Sequence, residues 1–451
     1  MWRQEFVGLW RLALPLAGVR LGNQMKSFVD TAVVGRLGDV ELAAVGLANG
    51  FFFVIAVLGL GAMMGFDPLV AQALGAERPQ RARQLLWQSV WVALAVGMGL
   101  AVLVLVLPWV FVPAGIEPEV AQEARTYMWI RALGLWPVLI FAGMRSYLQA
   151  IKHTAPLIWA MIASNILNLG LTILLVFGGA DLPAWTGPLR DVPAMGVAGS
   201  AWATVACTVL QLVMLVVSMS KEHRGPLLEA ACGPSGKEIR QAVGVGLPIG
   251  LQYAAEVGVF ALVGFLAGRL GSVGLAGHQV ALTLASLPFM ISLGISSAGS
   301  VMVGRAVGAL DAVRARVSGW VALTSGTAFM GLSASLFWLA PEPLVRLLTT
   351  DAEVIALAVP LLFVAAVFQL SDGLQAIAAG VLRGAGDTRF AFVANVLGHY
   401  AVGMPVAVAL GMWWGQGVMG LWWGLCAGLT VVAAALMWRF WKVSSGELKP
   451  L

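Results

Sequence analysis

Residues 27–38 read SFVDTAVVGRLG, and the last four of them, GRLG at 35–38, return unchanged at 268–271. The separation is 268 − 35 = 233 residues. The same offset carries Pro15 in ALPLAG onto Pro248 in GLPIGL, and LAAVGLA (42–48) onto LAGHQVA (275–281). It carries VAQALGA (70–76) onto VGRAVGA (303–309), and RAR (81–83) onto RAR (314–316). Further on the match weakens: LQAIKHT ends at Thr154 and LRGAGDT at Thr388, offset 234. The chain is therefore two copies of one unit. A polar, Gly- and Pro-broken stretch between Lys221 and Arg240, with HRGP and CGPSGKE, is the natural linker.

The 451 residues are 60% hydrophobic and 11% charged, with mean hydropathy +0.88. A soluble domain carries roughly 25% charged residues. So few charges cannot cover a water-facing surface, but they suit a lipid-facing one, where the backbone must satisfy itself internally. Apolar runs of about 20 residues split by short polar loops predict membrane helices rather than barrel strands. The sequence predicts twelve spans: 10–35, 44–72, 86–112, 124–148, 156–178, 194–219, 240–267, 275–303, 318–340, 354–381, 390–412 and 417–440. No cleavable leader is expected, so the first helix is retained.

Assigned to alternate sides, the even loops and both termini hold 19 Lys and Arg against 6 in the odd loops. Arg145, Arg383 and Lys449 count among the 19, while acids such as Glu117, Asp181 and Asp351 collect in the odd loops. The positive-inside rule then places both termini in the cytoplasm. It also explains the net charge of +5 without nucleic acid as a partner. A unit of six spans keeps its orientation on duplication. The fold expected is all-α and polytopic, with an N-lobe (1–220), a cytoplasmic linker (221–239) and a C-lobe (240–451) related by a parallel, pseudo-twofold repeat.

Polar groups inside such helices cost several kcal/mol unless paired, protonated or hydrated. Four acids stand out: Asp30, Asp67, Glu256 and Asp372. Asp67, in GFDPLVAQ, reads first as an interfacial cap beside Pro68. Asp30 follows Lys26 by four residues, so the two can pair on one helix face. Such a pair is either structural or a tuned proton or cation site. Glu256 has no basic neighbour on its helix face but has Gln252 and Tyr253 there, so it expects a proton or a bound cation. Asp372 sits with Gln369, Ser371 and Gln375. Asn165, Asn168 and Thr172 share a face of span 5. They serve as interhelical glue or as oxygen ligands completing a site with Asp30. His278 reads as a packing residue more readily than a proton shuttle. Trp413, Trp414, Trp422 and Trp423 read as an interfacial belt. Three scattered cysteines, Cys207, Cys232 and Cys426, offer no disulfide or metal spacing. No GxxxxGK[ST], HExxH or GxSxG occurs, which excludes ATP-driven export by this chain and the common hydrolase chemistries.

FVDTAVVGRLG, PLVAQALGA, AGHQVAL with VGRAVGA, and VLRGAGDTR, in that order, resemble the multidrug and toxic compound extrusion (MATE) family over about residues 8–440. The acids of spans 7 and 10 resemble its NorM-type branch. The resemblance implies twelve helices in two lobes. It implies a non-enzymatic antiporter of the bacterial inner membrane, acting as a monomer without cofactor. Such a transporter exports cationic amphipathic compounds by alternating access in exchange for Na+ or H+. By position, Glu256 and Asp372 resemble the C-lobe cation-site acids, and Asp30 the N-lobe acid. Asn168 and Thr204 resemble the N-lobe acid's companions. Two departures weaken an N-lobe Na+ site: Thr172 stands where relatives have Asp or Asn, and Lys26 is foreign to the pattern. A flippase for lipid-linked precursors is the nearest alternative. It would want several arginines around its cavity, whereas the intramembrane charges here read as mostly acidic. An intramembrane enzyme or a channel lacks its constellation.

Overall fold

The computed structural model of the protein describes residues 1–180, 183–446 and 450–451. Asp181 and Lys449, counted above with the loops, lie outside the described residues, as do the side chains of residues 221–224. All regular structure among the described residues is helical. The N-lobe comprises α1 (Trp2–Val34), α2 (Asp39–Gly75), α3 (Pro79–Val110), α4 in two pieces (Pro118–Ala132 and Leu135–Ala150), α5 (Ala155–Phe177) and α6 (Gly196–Glu229). The C-lobe comprises α7 (Gly236–Arg269), α8 (Ser272–Gly308), α9 (Ala312–Leu339), α10 (Ala352–Gly384), α11 (Thr388–Trp413) and α12 (Gly417–Ser445).

Ten of these helices are long and apolar enough to cross a membrane, and the two pieces of α4, meeting at 45°, make an eleventh. The twelfth expected span, α1, is 33 residues and so about 50 Å long. It carries Arg3, Glu5, Arg11, Arg20, Lys26 and Asp30, too many charges to pass as apolar. The segment expected as a linker is mostly helix: α6 runs to Glu229 and α7 starts at Gly236.

The repeated GRLG stretches turn the first helix of each lobe into the second. Gly38 and Gly271 stand immediately before α2 and α8, and Gly271 has φ +109°, a conformation that favours glycine. Two helix starts in the C-lobe, those of α9 and α10, are capped by side chains. Asp351 accepts from the amides of Glu353 and Val354 at 2.9 and 3.3 Å, and Asp311 from that of Arg314 at 2.9 Å.

The lobes meet through α1 against α8, α2 against α7, and α2 against α8. Exchanging the lobes maps the first contact onto the second and the third onto itself. The symmetry holds residue by residue. Gly61 packs on the backbone of Gly250, and Gly294 on Ala17; 61 + 233 = 294 and 17 + 233 = 250. Gly75 packs on the carbonyl of Arg305, and Gly308 on that of Gln72; 75 + 233 = 308 and 72 + 233 = 305.

These close approaches all lie toward the end that carries both termini. One apolar core spans both lobes there, with Leu9, Met63 and Leu148 from one and Val303, Leu382 and Phe440 from the other. Toward the opposite end the core divides. Val45, Val104 and Tyr127 belong to a cluster confined to the N-lobe, and Val263, Leu361 and Trp422 to one confined to the C-lobe. Trp422 is thus not interfacial. It is fully buried, stacks edge-on against Phe368 at 5.0 Å, and donates to His278 Nδ1 at 3.1 Å. That bond gives His278 a packing partner. Trp413 and Trp414 remain exposed.

Candidate functional site

A cavity of about 340 Å³ opens between the lobes, lined by α1, α2, α4, α7, α8 and α10. Its C-lobe wall holds the acids. On α7, Gln252, Tyr253 and Glu256 share one face because they are spaced by three and four residues. Glu256 Oε1 accepts from Gln252 Nε2 at 3.1 Å, from Asn395 Nδ2 of α11 at 2.5 Å, and from Gln375 Nε2 of α10. Asp372, one turn before Gln375 on α10, is buried and lines the same cavity. It lies close enough to Glu256 for the two charges to repel.

Among the described residues, no Lys or Arg forms an ion pair with Glu256 or Asp372. Three amide donors hold Glu256 as a carboxylate acceptor without neutralising it. Asn395 Oδ1 is buried beside it and has no partner among the described residues. Two carboxylates and a free amide oxygen are hard ligands of the kind a small cation takes. A proton on either acid meets the same need. Asn395 was missed in the sequence because a single Asn in an apolar span reads as interhelical glue.

The N-lobe acid is elsewhere. Asp30 is buried between α1, α5 and α6 and does not line the cavity. Asn168 Nδ2 and Thr172 Oγ1 donate to its Oδ1 at 3.0 and 3.1 Å, and Thr204 Oγ1 to its Oδ2 at 3.0 Å. The Lys26–Asp30 pair that the spacing allows is not made; Lys26 Nζ donates instead to Ser164 at 3.2 Å. Asn165 turns to its own helix, donating to the carbonyl of Met161 at 3.0 Å.

A third group escaped the sequence reading. Arg145 and Arg383, counted with the loops, lie inside α4 and α10. Removing them leaves 19 − 2 = 17 basic residues against 6, so the charge asymmetry survives. Arg145 and Arg20 line the cavity on its N-lobe wall. Arg383 is buried, with Nη1 3.7 Å from Asp67 Oδ2 and Nη2 3.4 Å from the Tyr253 hydroxyl. Asp67 also accepts from Ser146 and is buried, so it is an interlobe partner rather than an interfacial cap. The expectation of a mostly acidic interior is corrected here: the cavity is acidic on one wall and basic on the other. The clue available in the sequence was Asp67 itself, a carboxylate in an apolar run with no cation on its own helix.

The family model described as MatE matches this chain twice, over residues 15–174 and 248–409. The two matches start 248 − 15 = 233 residues apart, the offset of the internal repeat. The multidrug resistance protein NorM of Burkholderia vietnamiensis is 35% identical over 436 residues, covering 95% of this chain and 92% of that protein. The probable multidrug resistance protein NorM of Rhizobium meliloti (strain 1021) is 32% identical over 450 residues, covering 98% and 94%. A solved structure of a multidrug resistance MATE family transporter of the MOP superfamily, in its outward-facing conformation, superposes with a TM-score of 0.87. That likeness covers 98% of this chain and 96% of the other at 19% identity, and so speaks to the fold.

Proposed function

The chain belongs to the MatE family, and from that premise we propose that it is a multidrug efflux antiporter. It exports cationic amphipathic compounds in exchange for Na+ or H+ through the Glu256–Asp372 pair. It sits in a bacterial inner membrane as a monomer with both termini in the cytoplasm, dividing into lobes at 1–220 and 240–451. The observation that carries the coupling site is Glu256 Oε1, held by three amides on a cavity wall next to Asp372, with no Lys or Arg paired to either acid among the described residues.

Two facing carboxylates in a low-dielectric wall repel one another and attract one cation or proton strongly. A cationic substrate competes for the same oxygens. Exchange follows, because the ion and the drug cannot both neutralise the pair. With the termini cytoplasmic, closure at their end and division of the core at the other describe an outward-facing state. Binding of Na+ or H+ from outside releases drug and shifts the population toward the inward-facing state, which returns the ion and accepts new drug. The amide cage on Glu256 provides that bias if the lobes close only around a neutralised acid.

The test uses purified protein in liposomes loaded with ethidium, with a Na+ gradient and a pH gradient imposed separately. Wild type is expected to move the dye against one gradient, and Glu256→Gln to uncouple it. Loss in Asp30→Asn with retention in Glu256→Gln would move the coupling site to the N-lobe. Dye movement indifferent to both gradients would end the antiporter reading.

A further inference from the structure

We infer that Lys152, Arg305 and Arg314 form a binding site for a phosphate group, supplied by an anionic lipid headgroup or by free phosphate, at the end of the seam that carries the termini. The site is separate from the cavity that holds Glu256 and Asp372, and its ligand is not a transported substrate.

The two copies of the seam share a frame of polar contacts here. Arg314 Nε pairs with Glu5 Oε1 at 2.9 Å, and Arg81 Nε with Glu238 Oε1 at 3.5 Å; 81 + 233 = 314 and 5 + 233 = 238. Arg305 Nη1 donates to the carbonyl of Ala150 at 3.1 Å, and Gln72 Nε2 to that of Gly384 at 3.1 Å; 72 + 233 = 305 and 150 + 234 = 384. The copies differ in what this frame encloses. In one, the amide of Leu451 donates to Gln72 Oε1 at 2.7 Å, and its side chain lies 2.9 Å from where a Cβ on Gly386 would stand. In the other, Lys152 replaces Gly386 (152 + 234 = 386) and Arg305 replaces Gln72. Two cations therefore stand where the first copy has an apolar side chain and a neutral amide.

The turn residue is left-handed in both copies, with φ +88° at Gly386 and +63° at Lys152. Glycine takes that conformation freely, and lysine takes it under strain, of the kind that collects at ligand sites. A cavity of about 410 Å³, lined in part by Gln4, Glu5, Lys152 and Arg314, adjoins a recess of about 50 Å³ that adds Arg305. The charged side chains lining the two are Lys152, Arg305 and Arg314 against Glu5. Glu5 is taken by Arg314 and by Ser318, whose hydroxyl donates at 2.8 Å. Asp311, the acid nearest Arg314 along the chain, caps α9 and lines neither space. Lys152 and Arg305 make no ion pair among the described residues, and Arg305 and Arg314 both repel the Lys152 ammonium.

The chemistry then selects the ligand. A phosphate carries oxygens on several sides, so it accepts a guanidinium fork from one direction and a compact ammonium from another. Lys152 comes from the N-lobe and the two arginines from the C-lobe, so one phosphate would tie the lobes together at this end. Basic pockets between membrane helices hold anionic headgroups in this way. Trp2, Phe6, Leu310 and Val313, close along the chain to Glu5 and Arg314, are exposed and suit acyl chains beside such a headgroup.

The test follows the thermal midpoint of the full-length protein in dodecyl maltoside at constant ionic strength. The additions are dioleoylphosphatidylglycerol, dioleoylphosphatidylcholine and inorganic phosphate, titrated separately. Phosphatidylglycerol should stabilise wild type and phosphatidylcholine should not. In Lys152→Gln and Arg305→Gln the half-saturating concentration should rise about tenfold or more. Arg305→Gln is a mild change, since Gln72 makes the same carbonyl bond in the other copy. Arg389→Gln, which removes an exposed cation beside Leu451, should leave the titration as it is. Stabilisation by inorganic phosphate alone, lost in the same two variants, keeps the site and names free phosphate as the source. Equal titrations in wild type and both variants overturn the site, as does a loss of the same size in Arg389→Gln. A wild type stabilised by neither phosphatidylglycerol nor phosphate, or equally by phosphatidylcholine, overturns it too.

Discussion

Arg383 of α10 and Asp67 of α2 meet across the lobe boundary, Nη1 3.7 Å from Oδ2, with side chains 4% and 8% exposed. The pair lies toward the end where the two lobes share one core, so it can exist only while that end is shut. Opening the other way must separate two buried opposite charges. The pair is therefore a contact specific to one conformation.

Breaking it from one side should favour the opposite state. Removing one partner of a buried pair costs about 3–5 kcal/mol, because the other charge is stranded. Asp67→Asn should lower the thermal midpoint in detergent. It should also speed maleimide labelling of a cysteine placed at Ala73, from the side bearing the termini, in a background without the three native cysteines. Unchanged labelling would mean that the pair does not hold that side closed.

The glycine contacts make a paired prediction. A methyl group on Gly75 would lie 2.0 Å from the Arg305 carbonyl oxygen, and one on Gly308 2.0 Å from that of Gln72. Gly75→Ala and Gly308→Ala should each destabilise the closed side by about 1–3 kcal/mol through overpacking. Gly18, on α1 with open space around it, is the control, and Gly18→Ala should stabilise its helix by up to about 1 kcal/mol. A large difference between Gly75→Ala and Gly308→Ala would refute the equivalence of the two contacts.

The environment of Asp30 separates its neighbours by role. Asn168, Thr172 and Thr204 bond it directly, whereas Lys26 bonds Ser164. Hydrogen bonds to a charged group are worth about 1.5–3 kcal/mol. Thr204→Val and Asn168→Ala should therefore lower the thermal midpoint more than Lys26→Met. Asp30→Asn should abolish the difference between Thr204→Val and its parent. If Lys26→Met proves the most damaging of the three, direct pairing with Asp30 is restored as the explanation.

Lys152, in the turn between α4 and α5, combines strain with repulsion. Its φ is +63°, a conformation costly for any side chain with a Cβ. Partial burial and the neighbouring Arg305 and Arg314 hold its ammonium below the usual lysine range. A cation lowered in this way weakens the fold while it is charged, and the penalty fades as pH rises through the lowered value. Lys152→Gly should raise the thermal midpoint at neutral pH. The gain should shrink in high salt, since the side chain is partly open to solvent, and shrink again toward pH 10. A lower midpoint at neutral pH would contradict both causes.

Much of this architecture was legible because duplication leaves a fixed offset and lipid demands long apolar runs. The first span, read at 10–35, is the one whose charges keep α1 from passing as apolar in the structure, and Pro15 and GRLG tie it to its copy in α7. Glu256 and Asp372 were legible for the same reason that they are costly: a carboxylate in an apolar run has few innocent explanations. Arg145 and Arg383 were not, because an arginine near a helix end reads as a loop residue until the depth of the end is known. Asn395 was hidden by distance, 139 residues from the glutamate it bonds. The Lys26–Asp30 spacing allowed a contact that Ser164, on another helix, supplied instead.

The matching of Gly75 with Gly308, and of Gly61 with Gly294, has a consequence for ancestry. A six-helix protein bearing one such set could dimerise with its own copy through the same surface, each glycine meeting the partner's backbone. Fusing the copies freed each from being identical to the other. The N-lobe now holds one acid bonded by Asn168 and Thr204, the C-lobe two acids on the cavity wall, while Gly75 and Gly308 still make equivalent contacts across the seam.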